Sequence, residues 1–162
     1  MNTTVDLFTE PKIGQQPNNC ISFWVPGICA PAGSKKGFWN KKAGRVLIVD
    51  DCKRSKPWQS DVKVFATVAY QGPLLRGALH VIAAFYMPRP KGHFNSRGQI
   101  KPSAPPYPIS RPDTSKLFRA VEDALTGVIW ADDAEVVIQY LHKLYEVDRG
   151  PVVEIFLKDV IG

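Results

Sequence analysis

An apolar run from Ala78 to Met87 constrains the fold of this chain more than any other feature of the sequence. Valine, isoleucine and aromatic side chains in so short a run are typical of a β-strand rather than a helix. The run shows no alternation of apolar and polar residues, which predicts a strand buried on both faces or nearly so. The other elements therefore have to form around a central strand.

Hydrophobic periodicity and turn residues locate five further strands. The expected strands are Ile21–Val25, Phe38–Asn40, Arg45–Val49, Glu135–Tyr145 and Val152–Leu157. The second and third of these form a basic hairpin, because Lys41 and Lys42 stand between them and Gly44 suits the turn. The last two are joined through Asp148-Arg149-Gly150, which is typical of a turn.

Two principal helices are expected. The first spans Ser55–Ala69 with its serine as a candidate N-cap. The second runs from Asp113 or Thr114 to Leu125, with Gly127 just past its end in the position of a C-cap. These elements predict the α+β class, or mixed α/β: a small mixed sheet packed with two main helices.

The domain organisation follows from length and from the distribution of proline and glycine. A chain of 162 residues with 44% hydrophobic and 22% charged residues is long enough, and apolar enough, for one globular domain. Residues 1–20 are expected to form a flexible N-terminal arm, and residues 21–162 the domain. Residues 89–111 are rich in proline, glycine and serine, which predicts a long mobile basic loop within it.

Several classes of protein are excluded by what the sequence lacks. Three cysteines without C-x-x-C spacing argue against a disulfide framework or a zinc site, and for a reducing compartment. No stretch resembles a signal peptide, and no apolar run approaches the length of a membrane span. The phosphate-binding motif G-x-x-x-x-G-K-[ST] is missing too, so no nucleotide cofactor is expected. A soluble, cytoplasmic protein is predicted.

Charge is unevenly distributed along the chain. Residues 34–56 carry eight basic side chains and two aspartates, and residues 89–111 carry five basic side chains and no acid. Clustered cations at a pI near 9.3 are the usual footprint of a protein that binds a polyanion. Nucleic acid is favoured over a membrane surface, because no basic amphipathic helix is visible. Solvated lysines that maintain solubility are the alternative for either cluster alone.

Carboxylates in the C-terminal third are the candidates for chemistry. Asp113 precedes the second helix on the side of its apolar stripe, which places its carboxylate at the inner edge of the domain. A helix and a return loop can then bring Asp132 and Asp133 near it. Clustered carboxylates repel unless a hard divalent cation joins them, and Mg²⁺ prefers oxygen ligands. A helix N-cap at Asp113 and a solvated turn at the aspartate pair are the structural alternatives.

The same stretch resembles a known family. The residues concerned are Pro112-Asp113, Asp123-Ala124-Leu125 and Trp130-x-Asp132-Asp133-Ala134-x-Val136-Val137. Together they look like the signature of RusA-type Holliday-junction resolvases, including phage-borne members. The basic segment Gly33–Lys36, the helix start Lys56–Trp58 and the two closing strands fit in the same order. The resemblance implies a homodimeric mixed α/β nuclease that cuts four-way DNA junctions with Mg²⁺, for which Mn²⁺ can substitute.

The resemblance also implies roles for individual residues. The family pattern of an Asp-x-Asp pair, a later basic residue and a final aspartate maps onto Asp113, Ser115, Arg119 and Asp133. Ser115 departs from this pattern, since the second carboxylate is absent. Metal ligation is therefore expected from Asp113 and Asp133, with Asp132 or Asp123 as a further candidate. Arg119 would neutralise the scissile phosphate, and Lys116 is a weaker candidate for the same role.

The basic clusters are expected to bind phosphates of the DNA backbone without reading its sequence. The residues concerned are Lys35, Lys36, Lys41, Lys42, Arg89, Lys91, Arg97, Lys101 and Arg111. The resemblance places this activity in the cytoplasm of a bacterial or phage-infected host cell. The rival hypothesis is a junction- or duplex-binding protein that derives from the same fold and does not cleave, which the substitution at Ser115 motivates.

A first prediction concerns salt. Each phosphate that a lysine or arginine neutralises contributes a slope of about −0.9 to the logarithmic dependence of affinity on salt. With several cations engaged, affinity for DNA should fall by orders of magnitude between about 50 and 200 mM salt. Fluorescence anisotropy titrations at a series of salt concentrations measure this slope, and a flat response would remove the basic clusters from the interface.

Overall fold

The computed structural model describes residues 20–33, 35–50, 52–146 and 150–159. Within these ranges, the side chains of residues 35, 36, 48–50, 156, 158 and 159 are outside the description. The predicted N-terminal arm up to residue 19 and the turn at residues 147–149 also lie outside the described residues.

The described residues form six strands and two principal helices. In chain order these are β1 (Ile21–Pro26), β2 (Lys35–Asn40), β3 (Arg45–Asp50), α1 (Ser55–Ala69), β4 (Leu79–Met87), α2 (Thr114–Leu125), β5 (Val136–Tyr145) and β6 (Val152–Asp159). A four-stranded sheet has the order β1-β6-β4-β5, and β2 pairs with β3 as a separate hairpin. Only β4 and β5 run parallel among these pairs, so the four-stranded sheet is mixed. The predicted α+β class is confirmed.

The apolar run becomes β4, an interior strand between β6 and β5. Leu79, Val81, Ala83 and Phe85 alternate along it and are fully buried in the core that the two helices cover. On the opposite face Ala84 is buried as well, whereas Ile82 and Tyr86 keep partial exposure. Burial is therefore complete on the helix side and partial on the other, because no helix covers the second face among the described elements.

Helix α2 connects the two parallel strands, as a crossover between parallel neighbours requires. Its predicted apolar stripe is buried: Leu117, Ala120, Val121, Ala124 and Leu125 all join the core. Helix α1 packs against α2 and against β1. One cap differs from expectation, since Arg54 is the N-cap of α1 and Ser55 is a buried residue of the first turn. The backbone enters the helix one residue earlier than the serine predicts.

The long basic loop at residues 89–111 holds only a three-residue 3₁₀ turn, Lys91–His93, as a regular element. It nevertheless has internal hydrogen bonds. The Asn95 side-chain oxygen accepts hydrogen bonds from the backbone N–H groups of Arg97 and Gln99, and the Lys101 N–H donates to the His93 carbonyl. Asparagine makes this kind of local turn readily. The loop thus has a more defined conformation than its composition predicts.

Two expectations from composition can be compared with the described residues. No disulfide joins Cys20, Cys29 and Cys52 to one another. Neither of the described helices has the length and the apolar character that a membrane span requires.

Gly127 provides a test of how α2 ends. Its φ of +77° lies in the left-handed region, and a Cβ atom there would have no neighbour within 4 Å. Gly127→Ala should therefore lower the free energy of unfolding by about 1 kcal/mol through backbone strain alone. Gly92→Ala is the matched control, because its Cβ would also meet open space and its φ is not positive. Equal losses for the two variants in urea unfolding would contradict this account.

Candidate active site

Asp113 stands at the N-cap of α2, but its side chain makes no capping hydrogen bond. The side chain is 59% exposed, and Oδ2 lies 3.6 Å from Lys116 Nζ. An aspartate at this position normally accepts a hydrogen bond from a backbone N–H in the first turn. Because this carboxylate does not, its oxygen atoms remain available to another ligand.

The expectation that Asp113 points to the inner edge of the domain is wrong. The residue has extended backbone angles, with φ −70° and ψ 143°, and is exposed. Helical periodicity places a side chain on a helix face only where the backbone is helical. Since Asp113 precedes the first helical residue, the periodicity of α2 does not apply to it.

A lysine on β5 holds the segment that leads into α2. The Lys143 ammonium donates hydrogen bonds to the carbonyl oxygens of Ser110 and Pro112, at 2.8 and 2.9 Å. On the other side, the Ala32 N–H donates to the Lys116 carbonyl at 2.9 Å. Strand β5 and the loop after β1 therefore both fix the start of α2, and with it Asp113.

Asp113 lines an open cleft of about 320 Å³ at this end of the molecule. The cleft is lined by Ile28, Cys29, Pro31, Cys52, Arg54, Met87, Arg111, Pro112, Asp113 and Lys116. We refer to it as the Asp113 cleft. Three of its side chains are cationic and one is anionic, and most of the others are apolar. Cations in a cleft with low-dielectric walls concentrate positive potential, so the cleft suits an anionic group such as a phosphate.

The Cys29 thiol in the Asp113 cleft is not suited to nucleophilic chemistry. Burial raises the pKa of the Cys29 thiol from 9.0 to about 12. Its sulfur donates a weak hydrogen bond to the Met87 sulfur, at 3.3 Å. Since the thiolate is the nucleophilic form of cysteine, a thiol that stays protonated at neutral pH is inert. Cys29 therefore offers no nucleophile to the cleft.

Asp132 and Asp133 lie beyond the other end of α2, at the start of β5. Asp132 Oδ1 accepts a hydrogen bond from the Ala134 N–H at 2.9 Å, so this carboxylate caps the short 3₁₀ turn Asp133–Glu135. Both aspartates are exposed. The structural alternative of a turn at the aspartate pair therefore applies in part to Asp132, because one of its carboxylate oxygen atoms accepts this hydrogen bond.

Glu122, in the last turn of α2, lies close enough to Asp133 for their negative charges to interact. Partial burial raises the pKa of Glu122 from 4.5 to about 7, and the negative charges of Asp133 and Asp123 add to this rise. Arg119 and a 2.9 Å hydrogen bond from the Gln139 amide act in the opposite direction. An acidic group thus forms at this end of the helix, around a carboxyl group that titrates near neutrality.

The structure does not bring the predicted carboxylates together within one chain. Asp113 and Glu122 are nine residues apart on the helix, which corresponds to about 13 Å along its axis. Asp133 lies with Glu122 and therefore away from Asp113. Among the described residues, which include all three predicted ligands, no group of three or more His, Cys, Asp or Glu side chains suits a metal ion. The expectation that the return loop closes on Asp113 is wrong for the single chain, because α2 runs antiparallel to β5.

Comparison with known proteins gives this arrangement its context. The family model described as Endodeoxyribonuclease RusA matches residues 29–158, which is most of the chain. The chain belongs to the RusA family. It is also similar to the Bacillus subtilis (strain 168) protein named "Uncharacterized protein YqaN", with 28% identity over 144 residues that cover 88% of this chain and 98% of the relative. The RusA family comprises endodeoxyribonucleases that act on branched DNA junctions, and they generally depend on divalent metals.

The donor atoms that this RusA-family chain offers can be tested against such a metal. Carboxylate oxygens are the ligands that Mg²⁺ prefers, and Mg²⁺ usually takes only one or two of them together with waters and substrate phosphates. Asp113 is exposed, makes no capping bond and lines the same cleft as three cations. This donor set fits a hard divalent ion held jointly with a DNA phosphate, and it does not fit an ion enclosed by protein ligands alone.

The predicted basic residues differ in how free they are to bind DNA. Lys41, Lys42, Lys91, Arg97, Arg111 and Arg119 are exposed. Arg89 is used within the fold instead, since it donates to the Pro105 carbonyl and lies 4.0 Å above the Tyr145 ring. Lys101 donates to the Gly92 carbonyl at 2.9 Å, so it too supports the loop. The side chains of Lys35 and Lys36 lie outside the described residues. The Arg89 guanidinium group is thus partly engaged within the fold, and its contact with DNA stays a prediction.

Three functional candidates were not found from the sequence. Arg54 counts only as one of many cations in a basic stretch, and its place in the Asp113 cleft depends on how α1 packs. Glu122 on α2 accepts a hydrogen bond from Gln139 on β5, and Lys143 on β5 donates hydrogen bonds to the segment that precedes α2. A lysine in a strand is the one visible sign, because a half-buried strand residue rarely carries a charge without a partner.

The titration of Glu122 gives a prediction with a defined sign. Below pH 4.5 the carboxyl group is protonated in the folded and unfolded states, and between 4.5 and about 7 only the folded state keeps the proton. Its favourable contribution to stability is therefore lost as pH rises through this window. Glu122→Gln should stabilise the protein above about pH 7 and not below pH 4.5. Solvent screening limits the expected gain to about 1 kcal/mol.

Thermal unfolding of wild type and Glu122→Gln over this pH range measures the effect. Asp61→Asn is the control, since it replaces an exposed carboxylate on α1 by its amide. A Glu122→Gln difference that stays constant with pH would contradict the raised pKa.

Proposed function

We propose that this protein is a Mg²⁺-dependent, structure-selective endonuclease that hydrolyses phosphodiester bonds in Holliday junctions and related branched DNA. The observation that carries the proposal is the exposed Asp113 carboxylate, uncapped and lined up with Arg54, Arg111 and Lys116 in one cleft. A carboxylate beside cations is the combination that a metal-assisted phosphodiester hydrolysis requires, since it serves a metal and a phosphate at once.

The cations of the Asp113 cleft are proposed to position the DNA backbone. Arg54 and Arg111 would hold phosphate oxygen atoms, because guanidinium groups form paired hydrogen bonds with phosphate. Lys116 adds a point charge in the first turn of α2, where the N-terminal end of the helix dipole also attracts an anion. Arg119, one turn further along the exposed side of α2, would neutralise charge on the scissile phosphate.

The metal is proposed to be Mg²⁺, with Mn²⁺ as a substitute, and Asp113 as its principal protein ligand. A bound divalent ion would lower the pKa of a water molecule and offset negative charge on the phosphate. Asp133 and Asp132 remain candidate ligands, and their distance along α2 from Asp113 means that they would serve a separate position on the DNA or a partner subunit. Two copies of the chain, acting as a homodimer on a two-fold symmetric junction, would cut opposed strands.

DNA binding outside the cleft is proposed for the exposed cations Lys41, Lys42, Lys91 and Arg97, with the side chains of Lys35 and Lys36 as further candidates. Such contacts fix the protein on the backbone without reading sequence. The substrate places the activity in the cytoplasm of a bacterial or phage-infected cell. No nucleotide cofactor is required for hydrolysis of this kind.

A second candidate function rests on Ser115 and on the separation of the carboxylates. A serine hydroxyl brings no negative charge, so the start of α2 offers one carboxylate where the family pattern has two. A protein with this site would bind junctions and leave them uncut. This non-cleaving, junction- or duplex-binding alternative makes the opposite prediction for the same assay.

Cleavage of a synthetic four-way junction, with and without Mg²⁺, tests the proposal. Asp113→Asn should reduce the cleavage rate by at least about 100-fold, because the loss of a metal ligand removes several kcal/mol of transition-state stabilisation. Junction affinity should be unchanged or higher, since a negative charge near phosphate is removed. Asp133→Asn tests the second ligand in the same way, and Asp61→Asn is the matched control on α1.

The outcomes separate the two functions. Nicks that need Mg²⁺ or Mn²⁺ and that disappear in Asp113→Asn support the endonuclease. Tight binding without nicks in wild type, at any concentration of either metal, supports the non-cleaving alternative. Wild-type cleavage by Asp113→Asn would remove this residue from the site.

A further inference from the structure

The hairpin of β2 and β3 stands apart from the main sheet and carries large exposed apolar side chains. Trp39 is 61% exposed, Val46 58% and Phe38 49%. Within the described ranges, β2 and β3 pair with each other, and neither strand joins the four-stranded sheet. An isolated two-stranded ribbon is marginally stable in water, and contiguous exposed apolar groups mark a binding surface. A partner is therefore expected to contact this surface.

The tip of the hairpin is both ordered and cationic. The Asn40 side-chain oxygen accepts hydrogen bonds from the N–H groups of Lys42 and Ala43, at 2.9 and 3.1 Å, which fixes the turn. Gly44 completes the turn with a φ of +58°. Lys41, Lys42 and Arg45 are exposed, and no acidic residue occurs between residues 36 and 49. The charge of the tip matches a polyanion.

Aromatic side chains occupy both faces of the ribbon just behind this tip. Trp39 pairs with Val46 across the ladder, and Phe38 pairs with Leu47 on the opposite face. Gly37 lies on the same face as Trp39, and Val46 Cγ1 approaches within 3.1 Å of the position that a Cβ at Gly37 would take. The glycine therefore lets the valine pack beside the indole, which leaves a flat apolar platform next to three cations.

We propose that this hairpin docks at the branch point of a DNA junction. Trp39 stacks on a base that the branch leaves without a stacking neighbour, and Lys41, Lys42 and Arg45 contact the phosphates that flank it. Stacking on an aromatic ring needs an open base face, which a continuous duplex does not offer. The hairpin would then supply selectivity for branched DNA. This inference rests on the proposed function because it takes branched DNA as its ligand. It does not depend on whether the protein cleaves that DNA.

The positive charge of the hairpin tip argues against the simplest alternative partner, a second copy of this chain. A second copy of the chain seated on the hairpin in an isologous contact would bring two sets of three cations together, and no acidic residue between residues 36 and 49 offsets them. Like charges that face each other oppose such a contact. DNA removes this repulsion, since its phosphates pair with the same cations.

Binding to a four-way junction and to a linear duplex of matched sequence tests the proposal. Trp39→Ala should lower junction affinity by about 10-fold or more, the scale of one base–aromatic stack, and change duplex affinity less than about 2-fold. Trp39→Phe keeps a ring and should retain most of the selectivity. Lys41→Ala with Lys42→Ala should weaken both ligands equally and reduce the salt slope by about 2.

A fluorescent base provides a measurement that depends on the contact itself. 2-Aminopurine placed at the branch point should lose fluorescence when wild type binds, because stacking quenches it, and should not do so with Trp39→Ala. Trp39 is an exposed residue of the hairpin, so the variant should melt with wild type. Unchanged melting is checked by circular dichroism for each variant.

Other results would overturn the proposal. Equal losses of junction and duplex affinity in Trp39→Ala would make the hairpin a general backbone contact. A change of oligomeric state in sedimentation, with junction selectivity retained, would make it a protein interface. Failure of the proposed function is separate, because wild type that selects junctions through Trp39 but never cuts them leaves this inference intact.

Discussion

The Lys143 ammonium group is the interaction on which the geometry of the site depends. It is half-buried on β5 and satisfies its charge with two backbone carbonyls, at Ser110 and Pro112. A cation withdrawn from water needs such partners, since leaving it unpaired is costly. The start of α2 is thereby tied to the sheet, and Arg111, Asp113 and Lys116 take their positions from that start. The shape of the Asp113 cleft therefore depends in part on Lys143, although this residue does not line the cleft.

The charged side chains of helix α2 lie at the ends where they interact unfavourably with the helix dipole. Lys116 lies in the first turn, Glu122 and Asp123 lie in the last, and no basic residue offsets them there. Each misplaced charge costs up to about 1 kcal/mol near a helix end. The same arrangement strengthens the attraction of the N-terminal end for an anion. At the other end, burial raises the pKa of Glu122 most, and the negative charges of Asp133 and Asp123 add to the rise. Charges that lower the stability of a helix in this way are usually found where they serve a function.

The sequence predicted the secondary-structure elements better than the contacts between them. Strands and helices followed from periodicity, because apolar spacing directly reports which side chains are buried, and β4 and α2 are clear examples. The arrangement of the carboxylates did not follow, since it depends on the direction in which α2 crosses β5. The position of Asp113 failed for a local reason, an extended backbone just outside the helix. The contact of the Arg89 guanidinium group with an aromatic ring far along the chain was not predicted either.

The position of β6 has a consequence for synthesis on the ribosome. This strand separates β1 from β4 in the sheet, although it comes after every other described element along the chain. Until residues 152–159 have left the exit tunnel, β1 and β4 have no common neighbour, and their unpaired edges and apolar faces remain exposed. At a translation rate of about 5–20 residues per second, β1 waits on the order of 6 to 26 seconds for its partner, because about 130 residues separate the two strands. The nascent chain is thus open to aggregation, or to chaperones, for nearly the whole of its synthesis.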